Sequence, residues 1–212
     1  QEMCDFVGLG WDLAFKYRTP AMILADGVVG QMMEKVVLPP QRPRLTDEEV
    51  RKRCPWAATG RTPGRARNVI TSLELDSAKM EENNLRFQAT YKKIEENEVR
   101  FEEYAVDDCD YLIVAYGSIA RISQKAVEMA RKEGIKIGIL RPITLWPFPK
   151  KQLCSVVNGK KGVLVAEINA GQMVEDVRLA LNGTVKVEHY GRLGGIVPEP
   201  EEMVNAIKEK LL

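Results

Sequence analysis

Four stretches in the second half of the chain contain the residues that could do chemistry, and each follows an apolar run. Gly117-Ser118 follows YLIVAY, Arg141 follows IGIL, Glu167 begins EINAGQ after GVLVA, and His189 begins HYGRLGG. A Gly-Ser turn before a helix can present backbone amides to a phosphate. A Glu and a His can transfer protons. If the apolar runs are parallel strands, their carboxyl ends share one edge, so these stretches should lie together.

Each of these stretches also has a structural interpretation. YGS lacks the rest of the GxGxxG and GxxxxGK[ST] fingerprints, which disfavours a nucleotide site. Glu167 and His189 could be hydrogen-bonded structural residues as well as an acid–base pair, and GRLGG could bind an anion or only allow close packing. No Ser/His/Asp order and no carboxylate dyad stands out, so the sequence shows no complete active site.

Strands alternate with helices from residue 110 onward. Apolar runs predict strands at 111–117, 135–140, 162–167 and 184–189, and periodicity predicts helices at 118–132, from about 149, at 172–181 and at 200–212. Ser118 is placed to cap the first of these helices, and Gly134 to end it. The alternation predicts a mostly parallel sheet in a three-layer α/β/α architecture.

The first 40 residues have the pattern of the end of an α/β unit. Residues 2–17 carry an apolar stripe typical of a helix, and Thr19-Pro20 ends it. AMILA (21–25) predicts a buried parallel strand, and Pro39-Pro40 closes the unit. Since the sequence opens without a methionine and in mid-pattern, we expect a fragment of a longer chain.

Residues 41–108 combine a basic loop with an acidic helix. The loop at 41–67 has eight Arg or Lys against three acids, so it could contact phosphate or be a solvated connector. Apolar spacing predicts a long helix over 77–104, within a stretch of eleven acids and five bases from Glu74 to Asp108. That helix has one apolar stripe, which should pack along a domain or a neighbouring chain.

RPITLWPFP at 141–149 should be a stiff, shaped connection, because its prolines exclude a regular helix or a central strand. Trp146 and Phe148 are too large to leave in water without reason. We expect them to form a wedge that packs either inside its own domain or against a partner.

Composition and charge exclude several function classes. The 212 residues have a net charge of +1, which provides no general attraction for nucleic acid or anionic lipid. No apolar run reaches the roughly 20 residues needed to span a membrane. The four cysteines lie about 50 residues apart without a CxxC pair, which argues against a zinc or iron–sulfur site made by this chain alone.

The segments YGSIARI, RPITLWPFP, EINAGQM and HYGRLGG, in this order, resemble domain II of the 2-oxoacid:ferredoxin oxidoreductases, which is similar to the transketolase C-terminal domain. Residues 12–36 resemble the end of the pyrimidine-binding domain of the alpha subunit. CPWAATG (54–60) and ITSLE (70–74) resemble the branched-chain alpha subunit (3-methyl-2-oxobutanoate or 2-oxoisovalerate, VorB type), and a 2-oxoglutarate-type alpha subunit is the alternative. The expected divisions are 1–40, 41–108 and 109–212.

This resemblance implies a cytoplasmic, multi-subunit enzyme of anaerobic metabolism. Such an enzyme oxidatively decarboxylates a 2-oxoacid with coenzyme A, giving acyl-CoA, CO2 and reduced ferredoxin. Thiamine diphosphate with Mg²⁺ is expected to be shared with the beta subunit, and iron–sulfur clusters to lie in partner subunits. The gamma and ferredoxin-like delta subunits are the other expected partners. The fragment alone is expected to be inactive.

The resemblance transfers no catalytic residue to this chain. It suggests that Asp26, Gly27 and Gln31 lie near the cofactor-side interface. The candidate domain or subunit interface residues follow the predicted strands: Arg141, Trp146, Phe148, Glu167, Asn169, Gln172 and Arg192. A non-catalytic docking domain is the alternative function, and a stand-alone nucleotide- or flavin-binding protein is disfavoured by the missing glycine fingerprint.

Overall fold

One five-stranded sheet organises the second half of the chain in the computed structural model, which describes residues 1–58, 60 and 63–212. The sheet order is β1-β3-β2-β4-β5, in which β2 to β5 are parallel and β1 pairs antiparallel with β3. The strands are β1 (Phe101–Tyr104), β2 (Tyr111–Ala115), β3 (Ile137–Pro142), β4 (Gly162–Glu167) and β5 (Lys186–Gly191).

Helices cover both faces of this sheet, which confirms the predicted α/β/α architecture. α5 and α8 pack on one face, and α6 and α7 on the other. The helices are α1 (Glu2–Tyr17), α2 (Gly27–Gln31), α3 (Asp47–Arg53), α4 (Ser77–Asn97), α5 (Gly117–Lys132), α6 (Lys150–Val157), α7 (Met173–Leu181) and α8 (Pro200–Leu211). In the part of the chain that the structure describes, no helix has both the length and the apolarity to cross a membrane.

The central strands are buried on both faces, which explains their continuous apolar runs. In β2, Ile113 and Ala115 face the helices α5 and α8, whereas Leu112 and Val114 face α6 and α7. All four are fully buried. Gly134 ends α5 as predicted, with φ at +85°, and the amide of Ile135 bonds back to the Ala130 carbonyl.

Three predicted elements differ from the structure, the third being the basic loop at 41–67, inside which α3 (Asp47–Arg53) forms because Thr46 and Glu49 make a capping box. The predicted strand AMILA (21–25) is not a strand, and Met22 and Leu24 are exposed. No strand of the described residues pairs with it, and an apolar run without a ladder partner cannot satisfy its backbone groups as a strand.

The second difference is that the predicted helix over 77–104 ends at Asn97. Residues Phe101–Tyr104 form the edge strand β1 instead, because the backbone of β3 offers them a ladder of partners from Phe101↔Pro142 to Tyr104↔Ile139.

Candidate functional site

The candidate site is the rim where β2, β4 and β5 end. Strand order reverses at β2, since the chain crosses from β2 to β3 on one side and then to β4 on the other. Open parallel sheets bind ligands at such a switch point, outside the carboxyl ends of the strands. The polar stretches predicted after β2, β4 and β5 meet here, whereas Arg141 and Trp146 lie towards β1 and α4.

Glu167 is fully buried at the end of β4, and it binds backbone rather than ligand. Its carboxylate accepts hydrogen bonds from the amides of Gln172 (3.2 Å), Met173 (2.9 Å) and Val174 (3.0 Å) at the start of α7. A carboxylate at a helix amino terminus is favoured by the helix dipole. Asn169 shapes the same loop, because its side-chain oxygen accepts from the Gly171 amide at 2.7 Å.

His189 lies beside Glu167 but does not bond to it. Nε2 of His189 is 3.7 Å from Oε1 of Glu167, beyond hydrogen-bond distance, and has no hydrogen-bond partner among the described residues. The imidazole packs over Gly171 and Gly191, where an added Cβ would lie 3.5 Å and 2.6 Å from the ring. The structure therefore brings the two predicted residues together in a packed cluster, and this geometry favours the structural interpretation over an acid–base pair.

Asp26 reaches the same rim from the amino-terminal part of the chain. It caps α2 by accepting from the Val29 amide at 2.8 Å, and it accepts from the Ser118 amide of α5 at 3.3 Å. Burial alone would raise the pKa of Asp26, but these hydrogen bonds lower it. Gly27 and Gln31, the other two predicted cofactor-side residues, are the first and last residues of α2 and are both exposed.

The prediction that the Ser118 side chain caps α5 is therefore wrong. Tyr116 holds the N-cap position, Ser118 lies in the first turn, and no side chain from the cap position bonds to the helix. The acceptor comes instead from Asp26, 92 residues earlier in the chain.

Tyr116 is a rim residue that the sequence did not single out. Burial raises the pKa of its phenol, the negative charges of Glu167 and Asp26 raise it further, and a hydrogen bond with Asn169 partly opposes the change. Tyr116 directly follows the apolar strand β2. Its hydroxyl partner, Asn169, follows β4, so no pattern near Tyr116 in the sequence identifies this contact.

Arg141 lies outside this rim, where it joins β3 to α1 and β1. It forms ion pairs with Glu2 of α1 and with Glu102 of β1, the latter at 3.1 Å. The hydrogen bond with Arg141 lowers the pKa of Glu2. Arg192 is likewise paired within the chain, since its Nη1 donates to Oε2 of Glu202 at 2.8 Å. Both guanidinium groups therefore have carboxylate partners.

Trp146 and Phe148 do not form one wedge. Phe148 packs against the cluster beneath α6 and α7. Trp146 remains 55% exposed and meets the ring of Tyr91 in α4 edge-on, with 5.7 Å between centroids. The two side chains, which Pro147 separates in the chain, therefore contact different parts of the structure.

Glu98 is a second buried carboxylate that the sequence analysis missed. It accepts from Lys16 Nζ and Tyr17 Oη, both at 2.6 Å, and from Arg100 at 3.1 Å. Burial would raise its pKa, but these three partners outweigh burial and lower the pKa to about 2. The cluster joins the end of α1 to the end of α4, and no short-range pattern predicts it.

The cofactors implied by the resemblance need ligand sets that the described residues do not supply. Within residues 1–58, 60 and 63–212, no three or more His, Cys, Asp or Glu side chains gather to hold a metal ion. Cys4, Cys54, Cys109 and Cys154 are free thiols. Those residues by themselves therefore do not form a Mg²⁺ or an iron–sulfur site.

Two described residues of the predicted basic loop contact the region of α1: Arg42, and Trp56, whose ring centroid lies 6.1 Å from that of Phe15. Arg42 pairs with Asp12 of α1 through both carboxylate oxygens, the longer contact being 2.8 Å. Thr59, Arg61 and Thr62, which belong to the CPWAATG motif or the basic run, lie outside the described residues.

Comparison with known proteins covers most of the chain. Residues 109–203 match the family model of pyruvate:ferredoxin oxidoreductase core domain II. Ketoisovalerate oxidoreductase subunit VorB of Methanothermobacter thermautotrophicus is 42% identical over 211 residues, which is 99% of this chain and 57% of that protein. 2-Oxoglutarate synthase subunit KorA of Archaeoglobus fulgidus is 33% identical over 88% of this chain and 52% of its own length.

A solved structure agrees with the sequence matches. It is 2-oxoglutarate:ferredoxin oxidoreductase from Magnetococcus marinus with 2-oxoglutarate, coenzyme A and succinyl-CoA bound. It superposes with a TM-score of 0.63 at 26% identity, over 74% of this chain and 28% of that one. The chain thus spans little more than half of the curated relatives that it matches. The chain is similar to subunits of the 2-oxoacid:ferredoxin oxidoreductases, and its residues 109–203 match core domain II of that family.

Proposed function

We propose that the chain is part of the alpha subunit of a thiamine diphosphate-dependent 2-oxoacid:ferredoxin oxidoreductase that acts on a branched-chain 2-oxoacid. The reaction is oxidative decarboxylation with coenzyme A, giving acyl-CoA and CO2 while ferredoxin is reduced. The observation that carries the proposal is the 42% identity to a ketoisovalerate oxidoreductase subunit over 99% of the chain. Relatives named for 2-oxoglutarate are 29–33% identical.

In this proposal, residues 1–40 are the end of a pyrimidine-binding domain. Residues 41–108 connect that domain to domain II, which is residues 109–212. Thiamine diphosphate, which acts as the electron sink for decarboxylation, would bind with Mg²⁺ between this subunit and the beta subunit. Asp26, Gly27 and Gln31 would lie near the interface that faces this cofactor. The iron–sulfur clusters would belong to partner subunits, including the ferredoxin-like delta subunit, in a cytoplasmic complex that also contains gamma.

The role proposed for the chain's own residues is to hold subunit surfaces in place. Glu167 fixes the loop that carries Asn169 and the exposed Gln172, and Arg141 fixes α1 against the sheet. Because their charged groups are already paired, these residues would orient an interface rather than contact a substrate.

The test is to purify the complex that contains this chain through an affinity tag, from cells that make it naturally. Anaerobic assays would follow ferredoxin reduction with coenzyme A and either 3-methyl-2-oxobutanoate, 2-oxoglutarate or pyruvate. We expect the largest kcat/KM with 3-methyl-2-oxobutanoate and loss of turnover when thiamine diphosphate is removed.

Two outcomes would replace the proposal. Preference for 2-oxoglutarate would favour the 2-oxoglutarate-type subunit, for which the resemblance to KorA and to the Magnetococcus marinus enzyme is the supporting observation. An intact complex that oxidises no 2-oxoacid would favour the non-catalytic docking domain.

A further inference from the structure

Asp26 contacts the first turns of two different helices. One carboxylate oxygen accepts from the Val29 amide of α2 at 2.8 Å, and the other accepts from the Ser118 amide of α5 at 3.3 Å. Glycine suits position 117 because φ is +61° there, a left-handed conformation that side-chain-bearing residues rarely adopt. One side chain therefore connects the segment at 26–37 to the rim of the sheet.

This contact lies at the switch point of the sheet. The Ser118 amide follows β2, beside the end of β4, where an open parallel sheet would ordinarily receive a ligand. The group that lies against the amide is a carboxylate of the same chain. An anionic group at a helix amino terminus gains from the helix dipole and from charge-assisted hydrogen bonding.

A second polar contact ties the same segment to the same helix. Glu34 accepts from Nη1 of Arg121 at 2.9 Å, and Arg121 lies within the first two turns of α5. Except for the half-buried Val29, the apolar side chains of this segment are exposed, with Met33 98% and Val37 70% exposed. The attachment to α5 therefore depends on charge and hydrogen bonding instead of apolar burial.

We propose that Asp26 and Glu34 form a polar latch that positions residues 26–37 on the rim, so that Asp26 acts as an internal ligand of the switch point. Opening the latch releases the segment from α5 while the sheet stays folded, and Val37 at its far end remains bonded to the side chain of Gln1. This proposal stands on the contacts of this chain and does not depend on a cofactor, a substrate or a partner subunit.

Hydrogen–deuterium exchange of the whole 212-residue chain tests the latch. Asp26→Ser keeps a good N-cap for α2, but the shorter side chain cannot also reach Ser118. We expect amides in 27–37 and in the first turn of α5 to exchange about tenfold faster at short labelling times, because a charge-assisted bond is lost. Amides of β2 and β4 should be unchanged.

Asp76→Ser is the matched control. Asp76 caps only one helix, since it accepts from the amides of Ala78 (3.0 Å) and Lys79 (3.4 Å) in α4. Serine still caps α4, so this substitution should leave exchange close to the wild type both in the first turn of α4 and in 27–37.

Charge reversal tests the second contact independently. Glu34→Arg and Arg121→Glu should each accelerate exchange in 27–37 about threefold, and the double variant should restore the wild-type rate. The proposal is overturned if Asp26→Ser leaves 27–37 at the wild-type rate. It is also overturned if β2 and β4 accelerate as much as 27–37, because the contact would then support the whole fold.

Discussion

α1 and α5 are both sixteen-residue helices with an apolar stripe, yet their environments differ completely. α5 buries six residues against the sheet and α8, whereas α1 buries none. The apolar stripe of α5 is more sharply separated from its polar face than that of α1, but either stripe needs a surface to pack on before it is buried. A partner surface decides it: α5 follows β2 directly and folds back onto it.

The two helices are also held by different forces. α1 is tied at its first turn by Glu2 to Arg141, and at its last turn by Lys16 and Tyr17 to Glu98. Its outward stripe leaves Trp11 and Phe15 exposed. Charged contacts therefore attach the amino-terminal region, whereas apolar burial stabilises the sheet, and the two regions should respond differently to mutation and pH.

Loss of the buried carboxylate Glu167 should have the largest effect. Glu167→Ala would leave three amides at the start of α7 without their acceptor inside the fold, which should lower the free energy of unfolding by about 3–5 kcal/mol. Urea unfolding followed by circular dichroism measures this. Glu34→Ala, at an exposed ion pair, is the control and should cost less than about 1 kcal/mol. Equal losses would contradict the contrast between the two regions.

The same substitution in the two regions should give different costs. Leu112→Ala removes a fully buried side chain from β2 and should lower the free energy of unfolding by roughly 2–5 kcal/mol. Leu75→Ala, at a residue that is 87% exposed, should change it by less than about 0.5 kcal/mol. A loss above 2 kcal/mol at Leu75 would mean that the amino-terminal region has an apolar core of its own.

Acid should weaken the attachment of α1 through Glu98. Its pKa in the folded chain is about 2, below the ordinary 4.5, so the stabilisation is complete above about pH 4.5 and is lost as the pH falls towards 2. We expect a loss of the order of 1–3 kcal/mol over that window. Urea midpoints between pH 7 and pH 3 would measure it.

Two variants isolate this effect from that of the other carboxylates. Glu98→Gln should be less stable at pH 7 and should lose less stability on acidification than the wild type. Glu96→Gln changes an exposed neighbour and should keep the wild-type slope. A wild-type slope in Glu98→Gln would show that Glu98 does not hold α1.

The sequence alone predicted an element correctly where the local pattern and the tertiary contacts favour the same structure. The predicted strand 162–167 matches β4 residue for residue, because a strand buried on both faces shows a continuous apolar run, here Val163 to Ala166, which Glu167 ends. The predicted helix 2–17 matches α1, since Arg18 adopts a left-handed conformation just before Thr19-Pro20. Such boundaries depend on residues next to each other in the chain.

Prediction from the sequence failed where the partner of a residue or a strand lies far away in the chain. β1 has two adjacent glutamates and pairs with β3 about 40 residues later, while Phe101 also fits the helical spacing of α4, so the helix was extended too far. At the rim, Glu167 was recognised as a candidate, but its role depends on where α7 begins. The contact of Asp26 with Ser118 joins two ordinary capping residues across 92 positions, and only the fold reveals it.

Trp146→Ala should have the smallest effect of these changes. The ring is about half exposed and its aromatic contact is the edge-on one with Tyr91, so we expect a loss of about 0.5–1.5 kcal/mol in the free energy of unfolding. A double-mutant cycle with Tyr91→Ala should give a coupling energy of similar size. Trp11→Ala is the control, because Trp11 contacts Phe15 on the exposed stripe of α1 and has no coupling to Tyr91 to lose. No coupling between Trp146 and Tyr91 would mean that this contact does not hold α4 against the segment after β3, and the buried Ile94 and Glu98 at the other end of the helix would then carry more of its attachment.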